Sequence, residues 1–184
     1  MKNTALLLVD IQKGLDDLAF YGGERNNPNA EANCQKILTH CRNSGIQVFH
    51  VKHNSTNPES PLFKGKLGNE IKAQVFPKHQ EPVIEKNANS AFINTNLEAQ
   101  LRSQHIHSLI IVGLTTEHCI STTARMAANL GFDVKIVSDA TAAFNKIGIQ
   151  GEQYSAEVIH LTSLAALKDE FATIYNTEEI VQMI

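Results

Sequence analysis

Three ionisable residues stand at the ends of apolar runs. Asp10 directly follows "TALLLV" (4–9), Lys86 closes "PVIEK" (82–86), and Cys119 lies a few residues past "SLIIV" (108–112). Their chemistry is complementary. A thiol with an ordinary pKa of about 8.5 reacts as the thiolate. A nearby ammonium and the amino terminus of a helix both favour the charged sulfur. An aspartate within reach can take the thiol proton and return it to a leaving amine. Backbone N–H groups at the start of a helix lack intrahelical partners, so they can stabilise an oxyanion. The implied reaction is acyl transfer from an amide to sulfur, followed by hydrolysis.

Short, nearly continuous apolar runs read as strands covered on both faces. They fall at 4–9, 46–51, 82–86, 108–112, 133–137 and 171–175. Helical patterns lie between them. From Asn29 to Ser44, Cys34, Ile37, Leu38 and Cys41 share a face, with Pro28 in the first turn and Gly45 as the stop. Thr95 and Glu98 have capping-box spacing ahead of Leu97 and Leu101. "ISTTARMAANLG" after Cys119 carries Ile120, Ala124, Ala127 and Ala128 inward, ending at Gly131. Residues 153–168 form a helix with Val158, Leu161 and Leu164 or Ala165 inward, and a last helix begins at Thr177. Strands alternating with helices predict an α/β fold: a doubly wound, three-layer αβα sandwich, Rossmann-like, with a mostly parallel sheet of about six strands. Ligands bind such sheets outside the carboxyl ends of the strands, where all three ionisable residues stand. The stretch 52–81, broken by Pro58, Pro61, Gly65, Gly68 and Pro77, reads as a functional loop or covering flap.

The chain has 184 residues, 42% of them hydrophobic, which suits one domain over 1–184 with a sizeable core. A net charge of −3 without a basic cluster argues against nucleic acid as partner. "MKNTALLLV" has no small-residue cleavage site and reads as a buried strand rather than a leader. No apolar stretch approaches the roughly 20 residues that span a bilayer. Three cysteines without framework spacing fit a reducing compartment, so a cytoplasmic protein with no membrane partner is expected.

The sequence resembles the isochorismatase-like cysteine hydrolases, a family that includes nicotinamidases and other small-amide hydrolases. The resemblance runs through "ALLLVDIQKGL", "VIEKNANSAFINTNLEAQL" and "IIVGLTTEHCISTTARMAANLGFDVKIVSDATAAF". It implies that Cys119 is the nucleophile, Asp10 the general base and Lys86 the third member of a triad. It also implies a cis peptide between Leu114 and Thr115, which would turn the Thr115 N–H, alongside that of Cys119, toward an oxyanion. A homo-oligomer, a small-molecule substrate and no cofactor are further implications. Family members that cleave the vinyl ether of isochorismate lack the cysteine, so the thiol-dependent amidase branch fits better. Nicotinamidases carry an Asp-x-His metal motif after the second strand. Here "FHVKHNSTN" has Val51 in place of the Asp, and His50 and His53 lie on opposite faces of a strand. Neither a metal nor nicotinamide is therefore expected. Leu15 stands where the family often has an aromatic, which alters the pocket.

Each candidate has a plainer reading. Free cysteine is among the most buried residue types, and that reading suits Cys34 and Cys41 on their helix face. Asp10 alone could be a turn residue and Lys86 alone a solvated lysine. His53, Phe92 and Phe144 are candidates to line the substrate pocket, with core packing the alternative for the two phenylalanines. His118 invites a Cys–His reading, but an adjacent residue on a forming helix points away, which makes it a surface or interface residue. Asp139 reads as a turn and capping residue. Three rival functions stand beside the amidase: a hydrolase of another bond, such as an enol ether or cyclic amide; a non-catalytic binding module; and a redox sensor at Cys119, which lacks an evident resolving cysteine because Cys34 and Cys41 lie on a helix face elsewhere.

Overall fold

A computed structural model describes residues 3–184; Met1 and Lys2, the start of the leader-like stretch, lie outside the described residues. The first strand, β1 (Thr4–Val9), is buried throughout. Because side chains alternate along a strand, Ala5, Leu7 and Val9 enter one core cluster and Leu6 and Leu8 another. Five more strands lie parallel to it: β2 (Gln47–His53), β3 (Val83–Lys86), β4 (Ser108–Leu114), β5 (Asp133–Ala142) and β8 (Thr173–Tyr175). Their order is β3-β2-β1-β4-β5-β8. A separate antiparallel hairpin joins β6 (Lys146–Ile147) to β7 (Gln153–Tyr154).

Helices cover both faces. On the face of Leu7 and Val9 lie α3 (Leu97–Ser103), α4 (Ser121–Asn129) and the end of α5 (Ala156–Ala165), through Leu97, Leu101, Ala124, Ala127 and Leu164. On the face of Leu6 and Leu8 lie α2 (Ala30–Asn43) and α6 (Thr177–Met183), through Cys34, Ile37, Leu38, Cys41 and Ile180. A short α1 (Leu18–Tyr21) sits in the loop after β1. The fold is thus the expected doubly wound αβα sandwich. The chain lays β2 and β3 to one side of β1, then returns to place β4 on the other. The strand order therefore reverses between β1 and β4, which opens a crevice at their carboxyl ends.

Gly113 makes the closest approach in this region. Its φ is +122°, and an added Cβ would lie 2.0 Å from the Val9 carbonyl oxygen. The pairing of β4 with β5 shifts register between Ile111 and Gly113: their partners are Ile136 and Thr141, so the extra residues, and the bulge, lie in β5 beside the loop that carries Cys119.

Several local expectations are corrected. Residues 153 and 154 are strand, so α5 starts only at Ala156, after Ser155 caps it by accepting from the Val158 N–H. Val158 and Leu161 face outward, 44% and 55% exposed, and the buried residues of α5 are Ala156, His160 and Leu164. The apolar spacing was real, but a polar histidine with its own partners occupies the inner stripe. Thr95 and Glu98 form no capping box. The helix is led by Asn96 without a side-chain cap, and the Thr95 hydroxyl donates to the Ala91 carbonyl. A capping box does form between Asn176 and Glu179, at the start of α6. Asp139 does act as a turn and capping group, accepting from both the N–H and the hydroxyl of Thr177.

Candidate active site

Each of the three ionisable residues arrives from its strand end. Asp10 leaves β1 with a positive φ of 53°, Lys86 is the last residue of β3, and Cys119 sits in a π-turn, Thr116–Ile120, between β4 and α4. They converge. Lys86 Nζ donates to Asp10 Oδ2 at 2.7 Å and lies 3.3 Å from Cys119 Sγ. Asp10 and Lys86 are buried, whereas Cys119 keeps an opening to the cavity. The other Asp10 oxygen, Oδ1, is buried without a hydrogen-bond partner among the described residues. An unsatisfied buried acceptor costs about 1–3 kcal/mol. The Leu114–Thr115 peptide bond is cis.

The electrostatics differ from the expected standing thiolate. Burial pushes the Cys119 thiol pKa up, and the Asp10 charge adds to that; Lys86 pulls it down but does not win. The resting state is therefore a neutral thiol beside an Asp10–Lys86 ion pair. His53, which ends β2, adds a fourth contact: its Nδ1 lies 3.0 Å from Lys86 Nζ. Burial and the Lys86 charge both lower its pKa, so the ring is neutral and accepts from the ammonium. Asp10, His53 and Cys119 bring three potential metal-ligating atoms within 4.8 Å of one another. The Lys86 ammonium already stands in hydrogen-bonding range of all three, so the donor set does not fit an additional cation. His50 turns elsewhere, with Nε2 2.9 Å from Glu81 Oε2.

A cavity of about 270 Å³ opens over Cys119. Of the three residues read as pocket-lining, His53 and Phe144 line it. Phe92 does not; it packs on the core cluster, its ring 6.0 Å from that of Phe132. Leu15 lines the cavity, as does Tyr21, whose ring stacks on Phe144 at 5.1 Å. The 52–81 stretch does supply wall, through Ser55, Asn57, Ser60 and Leu62. It is anchored rather than loose: the Asn69 side-chain amide donates to the carbonyls of His53 and Leu62. Gln12 adds a second anchor, accepting from the His53 N–H at 2.8 Å and donating to the carbonyls of His53 and Asn69.

Sequence reasoning missed Gln12, Asn89 and Lys146; it read His118 as a surface residue, and the side chain is indeed 53% exposed, but it also lines the cavity. Asn89 Oδ1 lies 3.9 Å from Cys119 Sγ, and Asn89, His118 and Lys146 all line the cavity. His118 was expected to point away on an α-helical turn. The turn is instead a π-turn, in which the Ile120 N–H reaches the Thr115 carbonyl, and this wider loop swings His118 to the cavity. No periodic signal marks such a turn. The lysine follows "DATAAFN", where only the path of the β6–β7 hairpin brings it round.

A family model, the isochorismatase domain, matches residues 4–179. This chain belongs to the isochorismatase family. An isochorismatase family protein of Bacillus subtilis, YrdC, is 47% identical over 177 residues, covering 96% of this chain and 94% of that one. Nicotinamidase 3 of Arabidopsis thaliana is 31% identical over 160 residues, covering 79% of this chain and 76% of its own. The crystal structure of an isochorismatase-family protein from Chromobacterium violaceum superposes with a TM-score of 0.94 at 37% identity, covering 99% of this chain and 93% of the other. The chain is thus an isochorismatase-family hydrolase. No helix among its described residues is long and apolar enough to cross a membrane.

Proposed function

We propose that this hydrolase cleaves the C–N bond of a small amide through a thioester on Cys119. The observation that carries the reading is the convergence of Lys86 Nζ on Asp10 Oδ2 and Cys119 Sγ, at 2.7 and 3.3 Å, beneath the cavity. Asp10 takes the thiol proton as sulfur attacks the carbonyl carbon. The N–H groups of Thr115 and Cys119 hold the oxyanion. The C–N bond then breaks, and the proton on Asp10 passes to the leaving nitrogen, which departs as ammonia or an amine. Water attacks the thioester and gives one proton to Asp10. The acid leaves, and that proton returns to sulfur. Lys86 stabilises the charge on sulfur during attack and orients Asp10, while His53 accepts a further hydrogen bond from the ammonium. No cofactor enters any step.

The alternatives are separated by one panel: amides scored for ammonia release beside isochorismate scored for ether cleavage. Amide turnover that Cys119→Ala lowers at least 1,000-fold, with a thioester adduct detected by mass spectrometry in the unmodified protein, is the expected result. Turnover of isochorismate alone, or amide turnover that survives in Cys119→Ala, would overturn the reading.

A further inference from the structure

The charged side chains around the cavity cancel in pairs, and from this we infer that the substrate is an uncharged amide with an apolar acyl part. The inference rests on the amidase reading above and concerns the same site. Asp10 is paired with Lys86 at 2.7 Å. The other charged residue on the wall, Lys146, has its Nζ 3.2 Å from Glu117 Oε1. Glu117 is well buried, its side chain 11% exposed, and neither of its oxygens meets a hydrogen-bond donor in good geometry among the described residues. A carboxylate in that position holds its one close lysine firmly, because releasing it would leave a buried charge unpaired. His118 lies beside the pair, its Nδ1 3.9 Å from Glu117 Oε1. Burial lowers its pKa, so it adds a neutral ring.

Among the described residues, the rest of the wall has no charge to offer. Leu15, Tyr21, Leu62, Leu114 and Phe144 form an apolar side, and Ser55, Asn57, Ser60 and Asn89 form a neutral polar one. A carboxylate or ammonium on the substrate would lose water against these surfaces and find no unpaired counter-charge. An apolar acyl group gains from the same surfaces, with the half-buried Tyr21 ring exposed to the cavity and backed by the fully buried Phe144. The volume, about 270 Å³, sits at the small end of ligand pockets, which sets the scale of that group.

Matched probes test this. Butyramide, succinamate and β-alaninamide share a chain length and differ in charge at the far end; para-toluamide and terephthalamate form an aromatic pair. The neutral member of each set is expected to show a kcat/KM at least 100-fold above its charged counterparts. Calorimetric binding to Cys119→Ser is expected to follow the same order, and it reads charge preference even if none of these amides turns over. Glu117→Gln frees Lys146, so the succinamate-to-butyramide ratio should rise at least tenfold. Charged probes that bind or turn over as well as the neutral ones, or a ratio unmoved by Glu117→Gln, would overturn the inference and leave the amidase reading standing. Absence of any amide hydrolysis alongside neutral-selective binding would overturn the amidase reading alone.

Discussion

At the scale of single residues, Asp10 has two opposed effects on Cys119. Its carboxylate is the proposed acceptor of the thiol proton, yet its charge, after burial, is what keeps that proton on sulfur at rest. Asp10→Asn should therefore lower the thiol pKa while removing turnover. Thiolate absorbance in the ultraviolet, followed against pH, is expected to rise at lower pH in the variant than in the unmodified protein. A thiol that titrates higher in the variant would show that Asp10 activates the resting sulfur, contrary to this arrangement. The three residues themselves were legible in the chain, because each ionisable group breaks or follows a run of apolar ones. The sign of the thiol shift was not. It depends on how deeply the sulfur is buried and on which neighbour prevails, and the sequence does not record either distance. The two phenylalanines make the same point: Phe92 and Phe144 look alike in sequence, and only packing sends one to Phe132 and the other to the cavity.

Elements set how these residues meet, and the junction of β1 with β4 is the tightest of them. A Cβ at Gly113 would collide with the Val9 carbonyl at 2.0 Å, backbone against backbone, at a φ that side chains rarely adopt. Gly113→Ala should force the two strands apart directly behind Asp10 and ahead of Thr115. Its expected cost is at the exceptional end for a single substitution, about 4 kcal/mol, with turnover lost in whatever remains folded. Gly45→Ala provides the control: φ there is +69°, nothing lies within 4 Å of the added atom, and about 1 kcal/mol is expected. Urea titration of both variants distinguishes them, and equal costs would refute the close approach as the cause. Strand and helix identities were readable here because buried parallel strands are continuous apolar runs and α2 and α4 keep helical spacing. Failures came where a local pattern had a competing partner. The stripe of Val158 and Leu161 on α5 faces out because His160 faces in, with Nδ1 2.9 Å from Thr116 Oγ1. The Thr95 hydroxyl donates to the Ala91 carbonyl and accepts only a long 3.4 Å bond from the Leu97 N–H, so no capping box forms with Glu98.

Across the whole molecule, histidines are spent on structure as well as on the cavity. Burial is the largest influence on His50, His53 and His160, and it lowers the pKa of each from the ordinary 6.5. A depressed folded pKa means that the unfolded chain binds these protons more readily in acid. The stability they confer is fully present above about pH 6.5 and drains away as pH falls toward the folded values. Urea midpoints should thus be lower at pH 5.5 than at pH 7.5. A midpoint that holds steady or rises would refute the assignment of these rings as neutral in the folded state. The reversal of strand order between β1 and β4 has a different kind of consequence. Asp10 and Lys86 belong to the strands laid down before the chain crosses back, and Cys119 to those laid down after. Neither half of the polypeptide owns both the thiol and its proton acceptor. Chemistry at this thiol is thus a two-key lock, and turnover reports that the halves have docked along the β1–β4 seam.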